Sequence, residues 1–281
     1  MTQAPQIALL PDKKRLHLQH GPIDLIIEVW GPERTACYAA AIERFESILT
    51  GLVSELPLLR RPGGANSRFT DPVARRMAAA VAPFGDAFVT PMAAVAGAVA
   101  DEILGAMLRG RAVSKAYVNN GGDIAFHIAG AQSFTSLSPA GKIIVTDRDP
   151  ARGVATSGWR GRSHSLGIAD AVTVVADCAA QADVAATLIA NAVDIPSHRA
   201  IERLPASDLA PDSDLGTRPV TVAVPALSES EKRQALDSGL TAAREFHRRG
   251  LIADASLLLQ GRCVGLQGVP DTTVTKGLAD A

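Results

Sequence analysis

An apolar segment of small residues, Met92 to Met107, constrains the fold of this chain more than any other feature. Its composition predicts a helix, and its Ala and Gly residues present little side chain on any face. Such a helix packs with its backbone close to a sheet or to another helix. The longest apolar stretch, near Met92 to Val99, is too short and too rich in Ala and Gly to cross a bilayer. The segment is therefore expected inside a packed protein.

The composition predicts a sizeable core built from aliphatic side chains. The 281 residues are 47% hydrophobic but only 4% aromatic, so Ala, Val, Leu and Ile must fill the interior. A formal net charge of −1 gives no electrostatic reason to expect a nucleic acid or an anionic membrane as partner. Cys37, Cys178 and Cys263 fit neither a zinc spacing nor a disulfide framework and are interpreted as inert buried thiols. Because no apolar signal segment precedes the polar residues 1–15, a soluble cytoplasmic protein is expected.

Apolar periodicity predicts groups of strands and groups of helices. Strands or hairpins are expected at 15–31, 112–118, 124–128, 143–146, 171–176, 220–224 and 251–266, and helices at 37–56, 72–82, 92–107, 179–193 and 228–249. Asp177 is well placed to cap the helix that follows it. Residues 59–71 are predicted to be a loop, and residues 196–218 a long surface excursion. Because hairpins flank pairs of helices, an α+β fold with a largely antiparallel sheet is favoured, as a single domain over 1–281, in one body or two lobes.

A first glycine turn carries polar side chains that suit a phosphate-bearing ligand. Asn120, Gly121, Gly122 and Asp123 stand between two predicted strands. Glycines let the backbone approach a ligand and turn N–H groups toward a phosphate or a ring carbonyl. The same residues are typical of an ordinary hairpin turn, because Asn-Gly is the strongest short hairpin signal. Both interpretations remain open at this point.

A second glycine turn is followed by two arginines and a histidine. Arginine suits bidentate binding of phosphate, and histidine carries protons near neutral pH. The stretch is also typical of a solvated basic loop, in which Trp159 is a packing anchor. The candidate residues are Thr156, Ser157, Gly158, Arg160, Arg162 and, as the proton carrier, His164.

Asp183 and Thr187 share one face of the predicted Ala-rich helix near its N-terminus. Carboxylate and hydroxyl oxygens are ligands for a hard cation such as Mg²⁺, which keeps waters and bridges to phosphates. The alternative is that Asp183 simply favours the positive helix end while Thr187 bonds its own backbone. The sequence contains no Gly-x-Ser-x-Gly, Walker-type or Gly-x-Gly-x-x-Gly motif.

In this order, the three segments resemble the ApbE-like superfamily, whose characterised members are FAD:protein FMN transferases. Those enzymes carry a strand ending in Gly-Gly-Asp-Ile, then a Thr-Ser-Gly segment, then a strand and an Ala-Asp-Ala-x-x-Thr-Ala-like helix. The matching stretches are Val118 to Ile124, Ala155 to Gly158 and Val172 to Ala190, with an upstream Ala/Gly-rich helix at Ala96 to Asp101. The chain looks most like a cytoplasmic sister family that lacks a lipoprotein signal.

The resemblance implies a T-fold-like α+β structure that binds FAD or FMN together with Mg²⁺. The implied ligand residues are Gly121, Gly122, Asp123 and Thr156 for the flavin nucleotide, and Asp183 and Thr187 for Mg²⁺. Two family segments differ in this chain. The region Val95-Ala96-Gly97-Ala98 stands where the transferases carry a lysine, and residues 163–167 keep His164 but lack the family's Asp-Pro segment.

Two functions of different classes follow from these residues. The first is an enzyme for cleavage or transfer at a flavin or related nucleotide diphosphate, in which Mg²⁺ neutralises the phosphates and His164 deprotonates a protein or small-molecule acceptor. The second is a ligand-binding protein that kept the pocket and lost the transfer machinery. The missing loop favours the second function, and the retained Asp183 and Thr187 favour the first.

Overall fold

The computed structural model describes residues 4–62, 68–85, 87–138 and 141–266, with the backbone of 272–273. These residues fall into two compact units. The first comprises Met1–Ser136, Ile144–Ala155 and Ala176–Asp183. The second comprises Leu137–Ile143, Thr156–Val175 and Val184–Ala281.

The first unit is built on an antiparallel sheet. Its first five strands pair in chain order: β1 (Gln6–Leu9), β2 (Leu16–His20), β3 (Ile23–Trp30), β4 (Lys115–Asn120) and β5 (Asp123–Ile128). Strands β6 (Ser133–Ser138) and β7 (Gly141–Thr146), of which Leu137–Ile143 belong to the second unit, form a separate two-stranded sheet. Strand β8 (Gly153–Ser157), whose last two residues belong to the second unit, pairs with β5 through Val154 and Gly153. Every second side chain of β3 is buried, as the alternation of apolar and polar residues requires.

Three helices accompany this sheet: α1 (Arg34–Leu59), α2 (Pro72–Val81) and α3 (Val95–Leu108). Helix α2 begins as its sequence predicts, because the Asp71 side chain accepts hydrogen bonds from the N–H groups of Val73 and Ala74, and Pro72 occupies the first turn. A 3-10 turn, Pro91–Ala94, leads into α3 and is capped by the hydroxyl of Thr90.

Helix α3 has the close backbone packing expected from its small residues. A Cβ atom on Gly97 would lie 2.2 Å from the carbonyl oxygen of Ala179, at the start of α4 (Ala179–Ala192). No real Cβ atom is found that close to a backbone oxygen, so this position requires glycine. The position of Gly97 in the sequence therefore determines where the start of α4 can pack against α3 within the first unit.

The second unit has its own antiparallel strands. These are β9 (Ala171–Ala176, whose last residue belongs to the first unit), β10 (Glu202–Pro205), β11 (Pro219–Ala223), β12 (Asp254–Leu259), β13 (Arg262–Gly265) and β14 (Thr272–Thr273). Strand β12 pairs with β9 and β13, and β10 pairs with β11. The unit also contains the end of α4, the short α5 (Ala206–Leu209) and α6 (Glu229–Arg248). Helix α6 begins with a complete capping box between Ser228 and Glu231.

The predicted α+β class with a large antiparallel sheet and packed helices is confirmed. The expected hairpins, the six-residue strand at 171–176 and all five long helices are present. Strands β1, β6 and β8 were missed, and the predicted excursion 196–218 contains β10 and α5, with Ala206 fully buried. The T-fold assignment and the single domain stay predictions, and part of the predicted loop 59–71 lies outside the described residues.

One segment of the described chain is long and apolar enough to cross a membrane by length and composition alone. It is Pro91–Leu108, 18 residues with a mean hydropathy of 1.4, which is longer than the stretch singled out from the sequence. In the structure, 56% of this segment is buried by the rest of the chain, and the core helices of soluble proteins have the same composition.

Candidate functional site

The Gly121-Gly122 turn joins β4 to β5 as a two-residue hairpin. Asn120 and Asp123 are direct partners in the ladder, and the two glycines have φ values of 64° and 113°. The N–H of Gly122 donates a hydrogen bond of 2.8 Å to the side-chain oxygen of Asn119. This turn is therefore a true hairpin, the interpretation left open from the sequence, and the N–H of Gly122 is already bound within the protein. The predicted role of the turn in ligand binding stays a prediction.

Both residues that flank the turn are buried. Asn120 is 4% exposed and Asp123 is 9% exposed. The Asn120 amide donates to the carbonyl oxygen of Ala96 at 3.1 Å, and its oxygen accepts a longer bond, 3.4 Å, from the N–H of Asp24. Asn120 thus ties the hairpin to the first turn of α3, which brings Asp123 close to the same helix end.

Asp183 reaches that helix end from α4. Its Oδ2 accepts a hydrogen bond of 3.0 Å from the N–H of Gly97, and the N–H of Ala96 also contributes. Although the residue as a whole is half-buried, desolvation of its carboxylate and the negative charge of Asp123 raise the pKa of Asp183 well above its usual value. The two backbone N–H groups act in the opposite direction but do not compensate.

Asp101 makes the converse contact from α3. Its two oxygens accept hydrogen bonds from the N–H groups of Ala179 and Ala180, at 3.1 and 2.9 Å. Burial raises the pKa of Asp101 despite these bonds. The prediction that Asp177 caps α4 is wrong, because the first N–H groups of the helix are bound by Asp101, whereas Asp177 is exposed.

The two helices therefore cap each other. Each sends a carboxylate from its second turn to the N-terminus of the other, at the point where Gly97 allows their backbones to approach. The unbound N–H groups of a helix start carry partial positive charge, which explains why two carboxylates are tolerated here. Asp123 adds a third acidic side chain to the same region, and its charge acts on Asp183. Such an arrangement can bind a cation or share a proton.

No group of three or more His, Cys, Asp or Glu side chains in metal-binding geometry occurs in the part of the chain that the structure describes. A magnesium ion does not need one, since it usually keeps several waters and binds through one or two carboxylates. Asp183 and Asp123 meet that requirement in residue type and burial.

Cys178 borders this acidic region and is unreactive at neutral pH. Burial and the neighbouring Asp101 raise the pKa of its thiol to about 11, so it stays protonated. Cys37 and Cys263 are buried and carry free thiols. These observations agree with the prediction of inert cysteines.

The second predicted turn lies in the second unit. The Thr156 hydroxyl is 2.9 Å from that of Thr173, and Ser157 is half-buried. A Cβ atom on Gly158 would lie 2.5 Å from the carbonyl oxygen of Asp170. Gly158 is thus required for close packing of two backbones, a structural reason for its presence that is independent of any ligand.

Asp170 organises the start of the loop that follows. Its carboxylate accepts hydrogen bonds from the Trp159 indole at 3.2 Å, from Arg160 Nε at 2.7 Å and from the backbone N–H of Gln260. The Arg160 guanidinium also lies over the Trp159 ring, 4.6 Å from its centroid. Trp159 is a packing anchor, as expected, and the guanidinium of Arg160 is engaged by Asp170.

The remaining predicted residues of this unit are differently placed. Arg162 and His164 are exposed, and Thr187 is half-buried on α4, one turn beyond Asp183. The roles predicted for these side chains stay predictions. The residues directly after His164 are held in place by Asn191. Its side-chain oxygen accepts hydrogen bonds from the N–H of Leu166 and from the Ser165 hydroxyl.

A model of the family described as AbpE bacteria matches residues 7–265. The chain belongs to this family. The match supports the ApbE-like resemblance found from the three segments, while a cytoplasmic sister family remains an expectation.

Several UPF0280 proteins are similar to part of the chain. A UPF0280 protein of Methanococcoides burtonii is 37% identical over 140 residues, which cover 46% of this chain and 55% of that protein. The UPF0280 protein of Methanopyrus kandleri is 40% identical over 132 residues (42% and 48%) and that of Methanosphaerula palustris 41% over 128 residues (43% and 52%). The chain thus spans about half the length of the curated relatives it matches.

Sequence reasoning missed the functions of Asp101 and Asp170. Asp101 was noted only as the end of an Ala/Gly-rich stretch, yet an acidic side chain inside so apolar a helix must find a partner when it is buried. The presence of this acidic residue in an apolar helix was the signal from which its role could have been predicted. Nothing near Asp170 in the sequence indicates that it binds Arg160, Trp159 and the distant Gln260.

Proposed function

We propose that this chain binds a flavin nucleotide or a related phosphate-bearing ligand together with Mg²⁺, with Asp183 as a carboxylate ligand of the metal. The observation that carries this proposal is the state of Asp183. Its carboxylate is desolvated and close to Asp123. In the described chain, its hydrogen-bond donors are backbone N–H groups and not side chains. A divalent cation would relieve the repulsion between the two carboxylates.

Family membership supports the proposed ligand class. The chain belongs to an ApbE-related family, and the characterised ApbE-like enzymes that its motifs resemble act on FAD. When bound, Mg²⁺ neutralises phosphate oxygens and orients them. Asp183 and Thr187 supply oxygens to it from one face of α4, and Asp123 balances its second charge.

Two positions bear on whether a transfer reaction follows binding. The segment Val95-Ala96-Gly97-Ala98 of helix α3 stands where the transferases carry a lysine, and its Gly97 is required by the contact with Ala179. A lysine cannot be placed at Gly97 without moving α4. This favours, as the second candidate, a binding protein without transferase activity. In the enzyme alternative, His164 is the base that takes the proton of the acceptor.

Flavin binding tests the proposal directly. Titration of FMN or FAD with the purified protein, followed by flavin fluorescence, should show binding in Mg²⁺ that weakens at least tenfold in EDTA, the equivalent of about 1.4 kcal/mol. Asp183→Asn keeps an acceptor for the N–H of Gly97 but loses the charge, so it should bind equally weakly with and without Mg²⁺.

Asp177→Asn is the matched control, because Asp177 is exposed just before the same helix. It should bind like the unmodified protein. Failure of the unmodified protein to bind either flavin would reject the proposal, and binding unaffected by EDTA would reject its metal component. Mass spectrometry of the products after incubation with FAD and Mg²⁺ distinguishes the enzyme from the binding protein. The enzyme breaks the pyrophosphate bond, passes FMN to an acceptor hydroxyl or to water and releases AMP, whereas the binding protein leaves FAD intact.

A further inference from the structure

A groove in the first unit lies at the other end of α3 from the acidic region. It has a volume of about 430 Å³ and opens between α1 and the last turn of α3 with the residues that follow it. The groove exists because Ala40 and Ala106 have small side chains, and its walls include Arg44, Arg109 and Arg111. Gly97 and Arg109 are twelve positions apart along the helix, so the groove is roughly 18 Å from the capped helix ends. It is therefore independent of the site proposed for Mg²⁺.

Arg44 enters the groove with one unused nitrogen. Its Nε donates to Glu102 at 2.8 Å and its Nη1 donates to the Ser47 hydroxyl at 2.9 Å. Its Nη2 is buried and has no hydrogen-bond partner in the residues that the structure describes. A buried guanidinium N–H without an acceptor is costly, so a turn of the Arg44 side chain that offered this nitrogen to an anion in the groove would relieve that cost.

Arg111 and Arg109 complete the basic wall in different ways. Arg111 Nη1 lies within hydrogen-bond distance of the carbonyl oxygens of Ala106, Met107 and Arg109, so it covers the negative end of α3. The exposed Arg109 side chain makes no hydrogen bond or ion pair to any described residue. Arg109 is thus free to turn toward a bound anion.

The charges around the groove do not cancel. Glu102 is shared by Arg44 and by Arg76, at 2.8 and 3.3 Å, so one carboxylate faces two guanidiniums. Glu43 is the acidic side chain in the groove wall, against Arg109 and Arg111. The net local charge is positive although the whole chain is slightly acidic. A concave surface with excess positive charge attracts small anions.

We propose that this groove binds a small phosphoryl-bearing anion, with Arg44 and Arg109 as its ligands. A free guanidinium such as that of Arg109 can bind phosphoryl oxygens bidentately, and Arg44 has one nitrogen left for them. Its volume falls at the small end of the range of about 300–1,000 Å³ for ligand pockets. None of the described residues that line the groove is aromatic, so an anion without a base or ring is favoured over a nucleotide.

Isothermal titration calorimetry with pyrophosphate at low ionic strength tests this inference. The unmodified protein should bind pyrophosphate, and Arg109→Gln should weaken binding roughly tenfold, because one charge-assisted hydrogen bond is lost. Arg44→Lys keeps the charge opposite Glu102 but removes the free Nη2, and should cost a similar factor. Glu43→Gln should tighten binding about threefold by removing a like charge, a gain that misfolding cannot imitate.

Arg148→Gln is the matched control, since Arg148 is an exposed arginine of the same unit that does not line the groove. It should leave the affinity unchanged. The inference is overturned if the unmodified protein does not bind pyrophosphate, if Arg148→Gln weakens binding as much as Arg109→Gln does, or if citrate binds as tightly as pyrophosphate. Flavin binding can fail without affecting any of these outcomes.

Discussion

Two carboxylates of this chain, Asp183 in the first unit and Asp170 in the second, are both held by backbone N–H groups but differ in their charge balance. Asp170 also binds the guanidinium of Arg160, so its charge is compensated within the protein. Asp183 faces another carboxylate, Asp123, and no Lys or Arg forms an ion pair with it among the described residues. Asp170 can therefore be explained by structure alone, whereas Asp183 is a group that needs a cation or a proton.

The difference teaches which sequence motif is the better indicator of a site. The glycine turn and arginines at 156–162 looked like a phosphate site, yet Gly158 and Arg160 have local structural partners. The aspartate of the Ala-rich helix was open to two interpretations from the sequence, a metal ligand or a charge that favours the helix end. It is the one whose surroundings in the folded protein leave its charge uncompensated.

The largest effect is expected where the helices that hold Asp183 meet. Gly97→Ala should destabilise the protein by about 3 kcal/mol, because the new Cβ would lie 2.2 Å from the Ala179 carbonyl oxygen. The measurement is the free energy of unfolding in urea. Gly105→Ala on the same helix is the control, since its Cβ would meet nothing within 4 Å, and it should stabilise by about 0.5–1 kcal/mol. Equal effects of the two changes would contradict the close packing.

Removal of the compensated carboxylate should cost somewhat less. Asp170→Ala leaves the Trp159 indole and the N–H of Gln260 without their acceptor and should destabilise by about 2 kcal/mol, measured by the same unfolding experiment. Because Asp170 has a structural role in our account, the loss should not depend on Mg²⁺. If Mg²⁺ restored the stability lost in Asp170→Ala, Asp170 would be the metal ligand and the roles assigned to Asp170 and Asp183 would be exchanged.

The uncompensated carboxylate should show the opposite sign. An aspartate whose pKa is raised by folding binds its proton more tightly in the folded state, so stability falls as pH rises from the usual value of 3.8 through the raised pKa of Asp183. Asp183→Asn should remove part of this fall and gain about 1 kcal/mol at neutral pH in EDTA. Urea unfolding across this pH range checks it, with Asp177→Asn as control. An unchanged pH dependence would show that Asp183 is not strained by its surroundings.

The smallest effect should come from the exposed partner of Asp170. The Arg160 side chain is 59% exposed, and exposed ion pairs contribute about 0.2–1 kcal/mol, so Arg160→Gln should cost roughly 0.5 kcal/mol. If the flavin titration of this variant also shows weaker binding, Arg160 leaves Asp170 to reach the ligand, as the sequence prediction of a phosphate-binding arginine requires. Unchanged binding would assign it a structural role only.

Local pattern was sufficient for most of the secondary structure. The all-buried strand β9, the Ala-rich helix α4 and the hairpin of β2 and β3 follow from short-range apolar periodicity and turn residues. Strand β8 was missed because its five residues read as a glycine-turn motif, and β10 because its partner β11 supplies the pairing that its own polar sequence does not indicate. Family membership, too, could be inferred from three short segments in order.

The sequence by itself thus determined the kinds of element, their order and the family, since these depend on neighbouring residues. Only the tertiary structure decided which carboxylates are compensated. Asp101 binds N–H groups 78 and 79 positions away, Asp183 binds one 86 positions away, and Asp170 binds one 90 positions away. Burial and charge balance are properties of such distant contacts, and no local pattern of residues contains them.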